Sequence, residues 1–96
     1  MTEFERNARY SYEEKLGYLK SKGYDSLHLQ TMTYNNYDVI MVSELKHGVT
    51  YFFYKDKHLV KMRYWIWKDD ISLYAKRYID RELNARKEES KWKHKI

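Results

Sequence analysis

Residues Asp25 to Trp67 read DSLHLQTMTYNNYDVIMVSELKHGVTYFFYKDKHLVKMRYWIW, and the fold turns on this stretch. Apolar and polar side chains alternate along it with a period of two, the pattern of half-buried β-strands. Three dipeptides divide it: Asn35-Asn36, His47-Gly48 and Asp56-Lys57. Asn, Asp and Gly tolerate the positive φ angles that two-residue hairpin loops require. Four antiparallel strands are therefore predicted, at 26–34, 37–46, 49–55 and 58–67.

Two-residue loops would fix the register, and register decides which side chains share a face. Pairing Tyr34 with Tyr37, Lys46 with Val49 and Lys55 with His58 collects Leu27, Leu29, Ile40, Val42, Tyr51, Phe53, Val60, Met62, Tyr64 and Ile66 on one side, as a core. The other side receives Tyr34, Tyr37, Phe52, Tyr54, Lys61, Arg63, Trp65 and Trp67, an aromatic and partly cationic face.

A helix is predicted on either flank of the strands. Before them, Ser11 and Glu14 form a capping box. Tyr12, Leu16 and Leu19 make an apolar stripe, and Gly23 with Tyr24 supplies a Schellman stop packed back on Leu19. After the strands, Asp69 or Asp70 is a good N-cap. Ile71, Tyr74, Ala75, Tyr78, Ile79 and Leu83 then follow the helical template closely. The expected fold is α+β, an α-β-β-β-β-α two-layer sandwich in which both helices cover one face of a four-stranded antiparallel meander.

The whole chain has 96 residues, enough for one small domain with a single core. Residues 1–10 and 86–96 carry no strong pattern and are expected to be flexible. With no cysteine, disulfides, thiolate catalysis and Cys-type zinc sites are excluded. No apolar run approaches membrane-spanning length, and Met1 to Arg6 lacks the features of a secretory leader, so a cytoplasmic protein that does not enter membranes is expected. His28, His47, His58 and His94 show no metal-ligating spacing, and no Gly-rich phosphate loop or nucleophile elbow is present, so neither a cofactor nor a metal is expected.

Charge is uneven. Residues 1–48 sum to −1 and residues 49–96 to +6, giving +5 for the chain. Of the 43% hydrophobic residues many are rings, with Tyr 11, Trp 3 and Phe 3. If both helices lie on the aliphatic side, six rings stand uncovered beside Lys61 and Arg63, more than a monomer leaves exposed. Such a surface suits stacking of single-stranded bases. Lys76, Arg77 and Arg81 on the last helix would add phosphate contacts. The expected function is a non-catalytic module that binds nucleic acid through Tyr34, Tyr37, Phe52, Tyr54, Lys61, Arg63, Trp65, Trp67, Lys76, Arg77 and Arg81. The same ring-bearing face could instead be a homodimer seam, or be covered by the N-terminal segment with Phe4 and Tyr10.

The element order resembles that of the double-stranded RNA-binding domain, with Lys76-Arg77 at the place of that family's lysine cluster. A fourth strand and the lack of a basic loop before the last helix depart from the family's pattern. In style, a short, Tyr- and Lys-rich, Cys-free domain is similar to the accessory proteins of phages and mobile elements, including anti-CRISPR inhibitors. That resemblance implies a host defence protein as the alternative partner, since Tyr, Trp and Arg dominate interface hot spots. A third reading is a small ribonuclease toxin cutting RNA with Lys61, Arg63, Tyr54 and Trp65 in place of a histidine pair.

Overall fold

A computed structural model describes residues 2–44, 48–65 and 70–84. The element order is α1 (Glu3–Ala8), α2 (Tyr12–Ser21), β1 (Leu29–Tyr34), β2 (Tyr37–Glu44), β3 (Gly48–Lys55), β4 (His58–Trp65) and α3 (Ile71–Tyr78), continued by a π-helical turn at Ile79–Leu83. The strands form one antiparallel sheet in the order β1-β2-β3-β4, so the α+β meander is as expected.

Local signals act where the sequence places them. Ser11 accepts from the Glu14 amide while the Glu14 carboxylate accepts from the Ser11 amide, closing the capping box. Gly23 adopts φ 97°, and the amides of Gly23 and Tyr24 donate to the carbonyls of Lys20 and Leu19, the Schellman pair of bonds. Asp70 caps α3 by accepting from the Leu73 amide at 3.1 Å. Both central residues of Asn35-Asn36 and of Asp56-Lys57 have positive φ, the type I′ geometry whose twist suits a hairpin. One helix was not foreseen: Thr2 caps α1 by accepting from the Glu5 amide, in a segment the sequence reading leaves without structure.

Three departures change the layer order. First, β2 and β3 pair Glu44 with Gly48 and Ile40 with Phe52, where the sequence reading pairs Lys46 with Val49. The displacement is an odd number of residues, so every β3 side chain changes sides relative to β2. Second, an irregularity at Phe53/Tyr54 pairs Tyr54 with Leu59 but Phe53 with Lys61, leaving Val60 as the extra residue and turning the rest of β4 over. Third, β1 begins at Leu29, because the Asp25 carboxylate accepts from the Leu27 amide and the Asp25 carbonyl from those of His28 and Leu29.

Each face of the sheet is consequently apolar and each has its own helical cover. Val39, Met41, Val49, Tyr51 and Phe53 pack with Ile71, Ala75 and Ile79 from α3 and its π-helical continuation. Ile40, Val42, Phe52, Tyr54 and Leu59 pack with Leu19 of α2. The placement of both helices on one face is thereby corrected: the order is α2, sheet, α3, three layers around two half-cores. The physical reason lies in β3, whose residues from Val49 to Tyr54 are buried on both sides apart from half-buried Thr50. A strand with two apolar faces needs two covers.

Candidate functional site

The uncovered ring platform does not exist. Tyr37 is 5% exposed, Phe52 6% and Tyr54 0%, and the last two lie on the α2 side of the sheet, opposite Tyr37. Rings buried to this extent cannot stack on bases. Trp67 lies outside the described residues, as does the C-terminal run from 85 to 96. Tyr34, Lys61, Arg63 and Trp65 do share a face, but α3 lies across it.

What the structure assembles instead is a cleft at the margin of that helix. Trp65, Tyr74, Arg77, Tyr78, Arg81 and Glu82 line a volume of about 210 Å³. Trp65 is the last residue of β4 and pairs with Val49, which puts its indole on the α3 side. Its ring meets Tyr51 edge-on at 4.6 Å and Tyr78 at 5.6 Å, and tilts against Tyr74 at 6.3 Å. The indole is therefore held by three tyrosines yet stays half-buried, as do Tyr74 and Tyr78. On the strand beside it, the Arg63 guanidinium sits 5.5 Å from the centroids of both Trp65 and Tyr78. Stacking of this kind presets an arginine for a planar or anionic ligand.

Arg77 and Arg81 face the cleft from either side of the junction between α3 and its π-helical turn, where the Asn84 amide donates to the Ile79 carbonyl at 2.8 Å. Single π-turns inside helices occur often at functional sites. Nearby, the Lys76 ammonium lies 5.8 Å from the Tyr34 ring, and the Tyr34 hydroxyl donates to Asp80 at 2.8 Å. Asn35 donates to the other Asp80 oxygen at 3.1 Å. The bond to Asp80 holds the Tyr34 phenol above its ordinary pKa, so Tyr34 is a structural tie and not a proton donor near neutral pH. At the cleft itself three cations (Arg63, Arg77, Arg81) thus stand with one carboxylate (Glu82), and the balance is positive; Lys76 and Asp80 form a separate pair of charges at the β1 edge.

Of the sequence-predicted residues, the structure brings Arg63, Trp65, Arg77 and Arg81 together. Lys76 and Tyr34 do not line the cleft: they meet at the β1 edge, on the other flank of α3, and Lys61 lies further along β4 opposite Phe53. Tyr74 and Tyr78 were assigned to the helix core and not to the site. Their stripe does face the sheet, but tyrosines at its edge lend one side to the core and the other to the cleft.

Elsewhere, Lys15 is buried and its ammonium donates to the Asn7 side chain while lying 4.9 Å from the Phe52 ring and 5.4 Å from Tyr18. Loss of solvent pushes its pKa below the ordinary lysine value. Among the described residues no group of three or more His, Asp or Glu could hold a metal ion, and no helix is long and apolar enough to cross a membrane. Comparison with protein families, curated proteins and solved structures finds no match to this chain.

Proposed function

We propose that this protein is a non-catalytic binding module that engages nucleic acid through the Trp65/Tyr74/Tyr78 cleft, with Arg77 and Arg81 on the phosphates. The observation that carries the reading is the lining of that cleft: three half-buried rings and two exposed arginines around a space of about 210 Å³. Rings accept the faces of bases, worth roughly 1–3 kcal/mol per stacked base, and arginines pair with phosphate oxygens. The surplus of positive charge in the second half of the sequence adds a long-range attraction. Because the cleft admits about one planar ring at a time, a single strand suits it better than a duplex, whose bases are already stacked.

Fluorescence anisotropy with labelled single-stranded RNA and DNA, titrated over a series of salt concentrations, tests the proposal. Affinity should fall steeply as salt rises, and Arg77→Gln and Arg81→Gln should each lower the slope of log K against log salt by about one. Both arginines are exposed, so these variants leave the fold intact. Binding that ignores salt, or none at low salt, would shift the reading to a protein partner such as a host defence factor.

A further inference from the structure

The two edges of the sheet are built differently. β4 carries Lys61 and Arg63, bears the extra residue Val60, and has α1 packed against it. Charges, irregular register and a covering helix are the devices by which proteins keep an edge strand from pairing with another chain. The opposite edge has none of them among the described residues. β1 reads Leu-Gln-Thr-Met-Thr-Tyr over Leu29–Tyr34, with no charge, proline or bulge, and it pairs regularly with β2 along its whole length.

Which groups that edge offers follows from the ladder. The Ser43 amide donates to the His28 carbonyl at 2.8 Å, which makes His28 and Ser43 a hydrogen-bonded pair. In an antiparallel ladder such pairs alternate, so Gln30, Met32 and Tyr34 bond to β2 while Leu29, Thr31 and Thr33 direct their amides and carbonyls outward. Thr31 and Thr33 are exposed, and Leu27, two residues before the strand, is 78% exposed. A cleft of about 440 Å³ opens on the α2 side of this edge, with Leu16, Tyr24, Leu29 and Thr31 in its wall.

We infer that β1 pairs with β1 of a second copy of this chain, antiparallel about a two-fold axis, to form one continuous sheet of eight strands. The strand's own composition selects this occupant. Leu29–Tyr34 carries no charge, so pairing it with itself sets no like charges opposite one another, as pairing of the charged β4 edge with its copy would. Geometry agrees, because a strand meets its own copy in register when outward residues face outward residues. Centred on Thr31, the pairing sets Thr31 against Thr31 and Leu29 against Thr33, a favourable set of cross-strand neighbours, with about six hydrogen bonds between the chains. The α2-side chains of the second copy then run along the open wall of the cleft. The arrangement leaves the Arg77/Arg81 cleft of each copy free and stands apart from the nucleic-acid reading.

Sedimentation equilibrium of nuclease-treated full-length protein, from low to high micromolar concentration, tests the inference. The mass should rise from 12.0 kDa toward twice that value. Thr31→Pro should hold the protein at monomer mass, because it removes an amide that points outward and none that bonds to β2. Thr33→Lys, which adds an edge charge and preserves every backbone group, should do the same, with an unchanged far-ultraviolet circular dichroism spectrum confirming the fold. In the native protein, the Thr31 and Thr33 amides should exchange with deuterium slowly at high concentration and rapidly at low. A monomer at every concentration overturns the inference. So does a dimer that survives both substitutions with fast-exchanging Thr31 and Thr33 amides, which places the seam elsewhere.

Discussion

The Tyr51 hydroxyl donates to the Ile71 carbonyl at 2.9 Å in the layer between the sheet and α3, and both residues are buried. It ties the centre of the sheet to the first turn of the helix. On the opposite face, the hydroxyl of Tyr54 is equally buried and has no hydrogen-bond partner. Burial raises the pKa of both phenols, so both remain neutral and polar inside the protein. Substitution by phenylalanine should therefore act in opposite directions. Tyr51→Phe removes a satisfied bond and should cost about 1 kcal/mol, whereas Tyr54→Phe removes an unsatisfied group and should add about 1 kcal/mol. Urea denaturation of the two variants side by side checks the signs; a loss at Tyr54 equal to that at Tyr51 would show that its hydroxyl is satisfied in solution.

Gly48 opens β3 opposite Glu44, and a Cβ built on it would stand 2.2 Å from the Trp65 carbonyl and 2.9 Å from the Tyr64 hydroxyl. The nearer obstacle is backbone, which cannot swing aside as a side chain would. Gly48→Ala should destabilise the protein by about 1–3 kcal/mol, as overpacking commonly does, by forcing the ends of β3 and β4 apart. Gly17 has nothing within 4 Å of its built Cβ, so Gly17→Ala should instead add up to about 1 kcal/mol of helix stability. A thermal melt of the pair distinguishes a glycine required by contact from one that is only tolerated.

The parts of the fold that are local in origin were legible: the capping box at Ser11, the stop at Gly23, the Asp70 cap and the two type I′ turns all lie within a few residues of their causes. Register between β2 and β3 was not, because the residues from His47 to Gly48 suit a two-residue loop while the observed pairing of Glu44 with Gly48 leaves three residues between. That odd displacement, with the extra residue at Val60, divided the rings between two faces and removed the platform. A signal was nonetheless present. Val-Thr-Tyr-Phe-Phe-Tyr from Val49 to Tyr54 is a nearly continuous apolar run, the mark of a strand buried on both sides, and such a strand calls for a helix on each. That Arg77 and Arg81 would share a surface was legible because charge on a helix is visible without register. The place of Tyr74 and Tyr78 in the cleft wall was not legible because periodicity assigns a residue to one surface, and these face both core and cleft.

Lys15 gives the protein a pH dependence whose sign can be worked out. Burial among Tyr10, Tyr18 and Phe52 disfavours the ammonium, which the nearby Glu3 charge offsets in part, so its pKa in the folded protein lies below the ordinary value of 10.5. Between those two values the unfolded chain holds more protons than the folded one, and the contribution of Lys15 to stability rises with pH. The buried tyrosines act oppositely, their raised values withdrawing stability as pH passes 10.0. The difference between the native protein and Lys15→Met cancels the tyrosines. It should shift in favour of the native protein as pH rises from 8 toward 10.5, followed by urea midpoints. A difference independent of pH would mean that the rings and Asn7 compensate the ammonium fully.

Asp80 faces two tasks at once. Its carboxylate accepts from Tyr34 and Asn35, pinning the β1–β2 turn to the π-helical segment, and it also places a negative charge between Arg77 and Arg81 in sequence. Asp80→Asn keeps an acceptor for Tyr34 but removes the charge, so the melting temperature should fall slightly. A phosphate approaching the arginines would meet less repulsion, and affinity for single-stranded nucleic acid at low salt should rise about threefold, the gain fading as salt screens the site. Opposite movement of stability and affinity is the signature of a carboxylate that holds the fold and opposes the ligand. If both fall together, Asp80 instead positions the arginines, and the tie between the turn and the π-helical segment belongs to the binding site itself.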